Sequence, residues 1–378
     1  MKRSKGEVGI SHDDPAIRRS PGVDPAQVLL ESYRSEQLGA FSTALEGYKR
    51  AAEMAPDLLI AAVRYCRLKR DLRSDRSHGW KIIWQVDPQG LWESDWVRSL
   101  LSGLSTNEIV DGRYAKFEDG CIVVDNRIGP QKARYYFELL KRNCRFGIFH
   151  LSDERFLDDC GVYEFGNFVV RNYWSRAFSP DRRVLAVPLG LMNGFHIETR
   201  KTASERRYTW AFAGNARKST RGAMVQAMSA VERGFFHGTA GEGSPADPAA
   251  SDLKPPLGIA DYAAILSDSV FAPCPAGWEN LDSFRVCEAF EAGCIPIVET
   301  RPSYDYFHHL MPGHPSLAVR SWPEAPGLLR PLLANPAALE TKRDECARWW
   351  RAYRTTLSSR VRDHVLASLE PVGARTSA

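Results

Sequence analysis

The chain has 378 residues, enough for two or three domains, and its 44% hydrophobic and 25% charged residues are the proportions of an ordinary globular protein. Fifty Lys and Arg against 46 Asp and Glu leave a net charge of +4, too small at this length to argue for nucleic-acid or membrane-surface binding. The apolar runs fall far short of the ~20 residues that span a bilayer.

Met1 to Asp24 carries Lys, Arg, Asp and Pro without an apolar core segment, so it reads as a disordered tail over residues 1–25 rather than a signal peptide. Ala26 to Pro56 resembles a tetratricopeptide repeat, with Gly39, Phe41, Ala44, Leu45, Tyr48, Ala51 and Pro56 at the positions that motif uses. Leu58 to Arg70 and Trp80 to Val86 read as further helices, which extends a helical module over residues 26–102. One repeat cannot bury its own face, so the module is expected either to dock a protein partner or to cap the rest of the chain.

From Gly120 the period changes. Cys121 to Val124, Phe146 to Leu151, Phe168 to Val170 and Val184 to Val187 are short apolar runs that suit buried strands, with a helical pattern over Lys132 to Arg142. Tyr208 to Ala213 opens a second set, followed by a helix from Thr220 to Glu232, a Gly/Pro-rich loop from Gly238 to Pro256, and a short helix from Asp261 to Leu266. Leu339 to Leu369 is a long helical stretch. Two alternating α/β blocks, split near Glu198 to Arg207, imply two Rossmann-like domains facing a cleft, over residues 103–200 and 201–340, with a helix and tail over 341–378. The eight cysteines include no C-x-x-C pair, and the expectation is reduced, mostly buried thiols in the cytoplasm and no zinc site.

Phe271 to Glu299 is the most informative stretch. It reads as strand, loop, helix and strand: Val270 to Ala272 halted at Pro273 and Pro275, a loop to Asp282, a helix capped by Asp282 or Ser283 and ended by Gly293, then Ile295 to Val298. A helix starting just past a strand's carboxyl end presents free N–H groups, which favours a phosphate. Cys274, Pro275, Gly277, Ser283, Arg285, Glu288, Ala289, Gly293, Cys294, Pro296 and Ile297 together resemble the signature of exostosin-like glycosyltransferases. His150 to Arg155, Val170 to Trp174, Val187 to Gly190 and Trp210 to Asn215 bring the likeness closest to the ribitol xylosyltransferase branch. The resemblance covers Cys121 to Glu299. It implies a GT-B fold, the two-Rossmann arrangement already expected, and a nucleotide-binding role for Ser283, Arg285 and Glu288.

Sugar transfer from a nucleotide donor needs the nucleotide held, the departing diphosphate neutralised and the acceptor hydroxyl deprotonated. Gly214, Asn215, Arg217, Lys218 and Arg221, at a helix start after a strand, form an expected diphosphate cradle. Arg285 is a second cation on that side, and Glu288 a partner for the ribose hydroxyls. Glu291 reads as a solvated helix charge. His150, Asp153 and Glu154 follow a strand end in the first block, and Asp153, then Glu154, is the expected base. Arg171, Asn172 and Trp174 are the expected acceptor contacts. No Asp-x-Asp is present to hold a divalent ion. The combined expectation is an inverting, metal-independent glycosyltransferase with no cofactor beyond its donor. The resemblance suggests a UDP-sugar donor, UDP-xylose first, and the expected acceptor is a glycan or polyol phosphate. The alternatives are a GDP-sugar, fucosyltransferase-like enzyme and a glycan-assembly scaffold.

Overall fold

The computed structural model describes residues 23–73, 79–239, 254–302 and 304–368. The chain divides into two compact units, Met1–Lys69 and Arg70–Ala378.

The first unit is helical. Helices α1 (Pro25–Gln37) and α2 (Phe41–Met54) pack face to face, followed by α3 (Leu59–Asp71). Asp24 caps α1 by accepting from the Ala26 N–H. Gly47 lets α2 approach closely, since a Cβ there would lie 2.0 Å from Ser32 Oγ. Val28, Ala51 and Ala61 form its small core.

The second unit holds two parallel sheets. In the first, β1 (Lys81–Trp84), β2 (Glu108–Val110), β3 (Cys121–Asn126), β4 (Phe146–Leu151), β5 (Phe168–Arg171) and β6 (Val184–Ala186) take the order β2-β1-β3-β4-β5-β6. Between them lie α4 (Ser94–Leu101) and α5 (Pro130–Lys141). In the second, β7 (Tyr208–Asn215), β8 (Gly234–Thr239), β9 (Ser269–Cys274), β10 (Ile295–Glu299) and β11 (Leu317–Val319) take the order β11-β10-β9-β7-β8. Its helices are α6 (Arg221–Met228), α7 (Ile259–Ser267), α8 (Phe284–Glu291), α9 (Tyr306–Leu310), α10 (Ala325–Leu333) and α11 (Pro336–Ala367). Every strand pair in both sheets is parallel. This is the GT-B arrangement. No described helix is long and apolar enough to cross a membrane.

Several expectations need correction. Trp80 to Val86 is not helical: Lys81–Trp84 is a strand inside the first sheet, with Ile82, Ile83 and Trp84 buried. So short a run buried on both faces carries no period that tells strand from helix. The first α/β half therefore begins near Trp80, and the helical module stops short of Ser102. Strand β8 has no counterpart among the expected elements, and its last two residues, Gly238 and Thr239, fall in the expected loop. Residues 240–253 of that loop lie outside the described residues, as do residues 1–22 and 369–378 of the expected tails. Strand β9 continues through Pro273 to Cys274, where its pairing with β7, last registered at Phe271, has ended. A proline's missing N–H is tolerated on such an unpaired side.

Helix α11 belongs to both halves. Arg343 donates to the Gly293 carbonyl, Trp350 stacks on Trp96, and His364 Nε2 donates to the carbonyls of Val169 and Arg183 in the first sheet. Glu291 accepts from Trp350 Nε1 at 2.6 Å and Arg354 at 2.8 Å. It is a strut to α11 rather than a solvated charge.

Candidate functional site

In the second sheet the chain order reverses at β7, with β8 on one side and β9 on the other. Ligands of open parallel sheets bind beyond the carboxyl ends of the strands at such a point. Two loops meet there, Ala216–Thr220 between β7 and α6 and Pro275–Ser283 between β9 and α8.

Three cations line the reversal. Gly214, at φ 141°, makes room for the Arg285 guanidinium: a Cβ would sit 2.2 Å from its Nη2. Arg285 Nη2 donates to the Ala213 carbonyl at 2.8 Å, and the guanidinium lies over the Phe212 ring. Arg221 is buried and donates to the carbonyls of Asn215 and Ala276. Lys218 lies 4.4 Å over the Trp278 ring. Burial, then repulsion from Arg285, pushes Arg221 down to about 9. Burial, then repulsion from Arg221, pushes Lys218 down to about 8. Asn215 Oδ1 accepts from the Arg217 N–H, which shapes the turn, and Thr220 Oγ1 donates to Glu299. Glu299 also accepts from Ala276 N and Trp322 Nε1, so one carboxylate pins both loops.

Helix α8 supplies the rest. Glu288 is fully buried and accepts from Tyr262 Oη at 3.1 Å through one oxygen only. Asp282 accepts from the Leu189 N–H at 3.1 Å, which joins the signature loop to the segment after β6. Burial raises both carboxyls to about 7. Ser283 stands at the start of α8, yet its hydroxyl does not cap the helix. Among the described residues, eight buried side-chain nitrogen or oxygen atoms lack a hydrogen-bond partner. Five of these belong to site residues: Asn172 Oδ1, Asp282 Oδ1, Ser283 Oγ, Arg285 Nε and Glu288 Oε1. Buried polar atoms are normally satisfied, so this clustering marks where a polar ligand would complete the bonding.

The first half is different. His150 is held by Tyr163 Oη at Nδ1 (2.6 Å) and by Asp158 at Nε2 (2.7 Å). Asp153 accepts from Leu157 N and Asp158 N through one oxygen and from Arg171 Nη2 at 3.1 Å through the other. Both oxygens are thus turned to the fold, which places Asp153 as a turn-closing anchor rather than as the expected base. Arg171 also donates to the Asn172 carbonyl and to Tyr163 Oη, and its guanidinium faces the Phe178 and Phe156 rings. Each of its three nitrogens is engaged within the first half, which places it in the fold rather than as the expected acceptor contact. Trp174 stacks on His309 at 4.2 Å and is bracketed by Tyr304 and Tyr306, an aromatic seam between the halves rather than a sugar platform. In the expected acceptor trio, Asn172 keeps a buried atom, Oδ1, without a partner.

His150, Asp153 and Cys160 place ligand-type atoms within 4.8 Å of one another. The Arg171 guanidinium bonds both Asp153 and Cys160 there, and both His150 nitrogens are engaged, so the grouping does not suit a divalent ion. Glu154 crosses the cleft, and its Oε1 accepts from the N–H groups of Trp278, Glu279 and Asn280.

Two further buried carboxylates, Asp282 and Glu93, are not signalled as site candidates by the sequence alone. Asp282 reads from the sequence only as a helix cap. Glu93 is buried with a raised pKa, chiefly from burial, and lies 3.5 Å from Ser152 Oγ. It precedes α4 and follows β1, so reading β1 as a helix hides it.

Residues 150–307 match the Exostosin GT47 domain, and on that match the chain is a glycosyltransferase. The matched segment joins the end of β4 to α9 and contains both loops at the strand reversal. No curated protein matches the chain. Among solved structures it is similar to a mutant of the Thermobaculum terrenum O-GlcNAc transferase, at 10% identity and TM-score 0.49, over 94% of this chain and 86% of that one. It is also similar to T4 phage BGT in complex with UDP and Mn2+, at 12% identity and TM-score 0.46, over 76% of this chain and 99% of that one.

Proposed function

We propose that this glycosyltransferase is an inverting enzyme that takes a sugar from a UDP-sugar, with UDP-xylose the first donor to try, and passes it to a hydroxyl of a glycan. The observation that carries the proposal is the set of three mutually repelling cations, Lys218, Arg221 and Arg285, beside unpartnered Ser283, Arg285 and Glu288 atoms. A diphosphate would relieve the repulsion and accept from Ser283 Oγ and Arg285 Nε, and a ribose hydroxyl would donate to Glu288 Oε1.

In this assignment Arg285, Lys218 and Arg221 neutralise the charge that develops on the departing diphosphate. Gly214 and Asn215 shape the approach to it, Arg217 adds positive charge, and Ser283 and Glu288 hold the ribose. The acceptor oxygen attacks the anomeric carbon, the bond to the diphosphate oxygen breaks on the opposite face, and the hydroxyl proton passes to a carboxylate. Asp282 suits that last role. It is buried at the seam, keeps one oxygen unpartnered, and has a proton affinity matched to neutral pH. With Arg171 committed to Asp153, a neutral glycan hydroxyl is favoured over a polyol phosphate. Cationic side chains in place of a divalent ion predict full turnover in excess EDTA, and a strict need for manganese or magnesium would overturn that part.

The helical unit supports a second activity beside catalysis. Ala26, Leu29, Leu30, Tyr33, Tyr48 and Ile60 line an apolar groove on it, with Leu30, Tyr33 and Ile60 exposed. A partner helix docked there is the role that a tetratricopeptide-like module would play.

A thermal-shift series with UDP, GDP, CMP and the nucleosides tests the donor assignment, because ligand binding to the folded state raises its stability by mass action. UDP is expected to stabilise most and uridine least. A larger shift with GDP would move the assignment to a GDP-sugar enzyme.

A further inference from the structure

The contact made by Glu154 is unusual in its geometry. Trp278, Glu279 and Asn280 are consecutive, and their three N–H groups converge on one carboxylate oxygen at 2.5, 3.0 and 3.2 Å. Successive N–H groups turned toward one point form a nest, a concavity that selects an anion. Gly277 keeps it open, since a Cβ there would lie 2.3 Å from the Glu154 oxygen. Its φ is not in the left-handed region, so approach rather than backbone shape is what requires glycine.

The nest also belongs to the cationic cradle. Lys218 stands over the ring of Trp278, whose N–H is the first of the three. Glu154 is the carboxylate whose charge opposes the lowered proton affinity of both Lys218 and Arg221. Among the described residues, then, part of the counter-charge for the proposed diphosphate site comes from a side chain of the opposite half, and Glu299 of the same half adds to it at Arg221. Glu154 itself is half-buried on a turn whose neighbours Ser152 and Phe156 hold φ of 63° and 55°. Ordinary residues rarely adopt such backbone. The nearby Arg155–Glu279 ion pair is exposed and contributes little to holding this turn.

We propose that the Trp278–Asn280 nest is a phosphate-binding subsite of the donor, and that Glu154 occupies it as an internal competitor which the donor diphosphate must displace. This rests on the donor assignment above. Carboxylate and phosphate oxygens are interchangeable acceptors for such a nest, but a diphosphate brings more charge to the three clustered cations. The exchange also explains why a cleft-facing glutamate points at backbone N–H groups instead of at an acceptor hydroxyl. A polyol phosphate offers the same phosphate chemistry from the acceptor side, so the test must separate the two sources.

Calorimetry on the full chain decides between them, with UDP, uridine and ribitol 5-phosphate as probes. Removing the competitor raises the fraction of molecules with an open nest, and apparent affinity rises in proportion. Glu154→Gln and Glu154→Ala are therefore expected to bind UDP roughly tenfold more tightly than wild type, with uridine unchanged. Gly277→Ala, which fills the nest, is expected to weaken UDP and spare uridine. Unchanged or weaker UDP binding in both Glu154 variants would overturn the proposal, and so would wild-type UDP affinity in Gly277→Ala. A gain confined to ribitol 5-phosphate would overturn the donor assignment of the nest. If wild type binds neither UDP nor GDP, the donor reading itself fails, an outcome visible without any variant. A fall in turnover without any change in UDP affinity would return Glu154 to the role of base and end its role as competitor.

Discussion

At the end of β4 each charged group meets a partner: His150 lies between Tyr163 and Asp158, and Asp153 and Arg171 satisfy each other beside the Phe156 and Phe178 rings. At the ends of β7 and β9, Arg221, Asp282, Ser283 and Glu288 are buried too, with Lys218 and Arg285 partly so. There, however, three cations repel one another, and Asp282, Ser283, Arg285 and Glu288 each keep an atom without a partner. Both places carry the residue types of an active site. The first leaves one such atom, Asn172 Oδ1, whereas the second gathers four, at a cost of about 1–3 kcal/mol for each buried unpartnered group. A satisfied cluster holds a fold together, whereas an unsatisfied one is completed by a ligand.

The largest expected effect is on turnover at the second cluster. Asp282→Asn keeps shape but cannot take a proton, so kcat should fall by about 10²–10⁴-fold with UDP affinity nearly unchanged. In wild type kcat should rise with pH through about 7, where Asp282 loses its proton, and the variant should lack that limb. Turnover that survives in Asp282→Asn would pass the role to Glu93 or Glu154.

The first cluster should respond in stability instead. Asp153→Asn leaves the Arg171 charge buried without its partner, which should cost about 3–5 kcal/mol of stability. Turnover per folded molecule should stay within a few-fold of wild type. Denaturant unfolding together with active-site-normalised kinetics separates the two quantities. Lost turnover at unchanged stability would restore Asp153 as the base and erase the contrast between the clusters.

Arg285→Ala should weaken UDP binding by about 2–3 kcal/mol, the scale of a lost charge-assisted pair at a partly buried site. Uridine binding should change less, which calorimetry can check.

The smallest effect is the pH dependence of stability. Folded Asp282 and Glu288 hold protons up to about 7 that the unfolded chain releases near its usual carboxylate range, so their burial costs stability increasingly as pH rises from about 4 to 7. Lys218 and Arg221 act the other way, because the unfolded chain holds their protons longer, and stability recovers as pH rises above about 8. Asp282→Asn should therefore gain in melting temperature relative to wild type between pH 4 and 7, by about 2–4 °C for each kcal/mol relieved. A difference that stays flat across that range would show that Asp282 is not a buried titrating group.

Much of this is legible in the residues. The strand spans Cys121 to Val124, Phe146 to Leu151 and Tyr208 to Ala213, the signature helix and its Gly293 terminus all follow from local pattern, because burial on both faces writes apolar runs and a left-handed position calls for glycine. The Arg217–Arg221 cations and the pair Arg285 and Glu288 are legible for a related reason: one strand–loop–helix unit places them, and neighbours in sequence are neighbours in space. Lys81–Trp84 is not, because four buried residues have no readable period.

Partnership is not legible either, because it depends on residues far apart in the chain. Asp153 and Arg171 are 18 positions apart, Trp174 and His309 are 135, and Glu154 lies 124 positions from the nest it fills. Residue type alone marks His150, Asp153 and Arg171 as strongly as Asp282, Arg285 and Glu288. Residue order determined two Rossmann-like halves with charged loops at their strand ends. Which loop is spent on the fold and which keeps its charge for a ligand was decided by tertiary structure, since desolvation and hydrogen-bond satisfaction exist only once the halves are packed together.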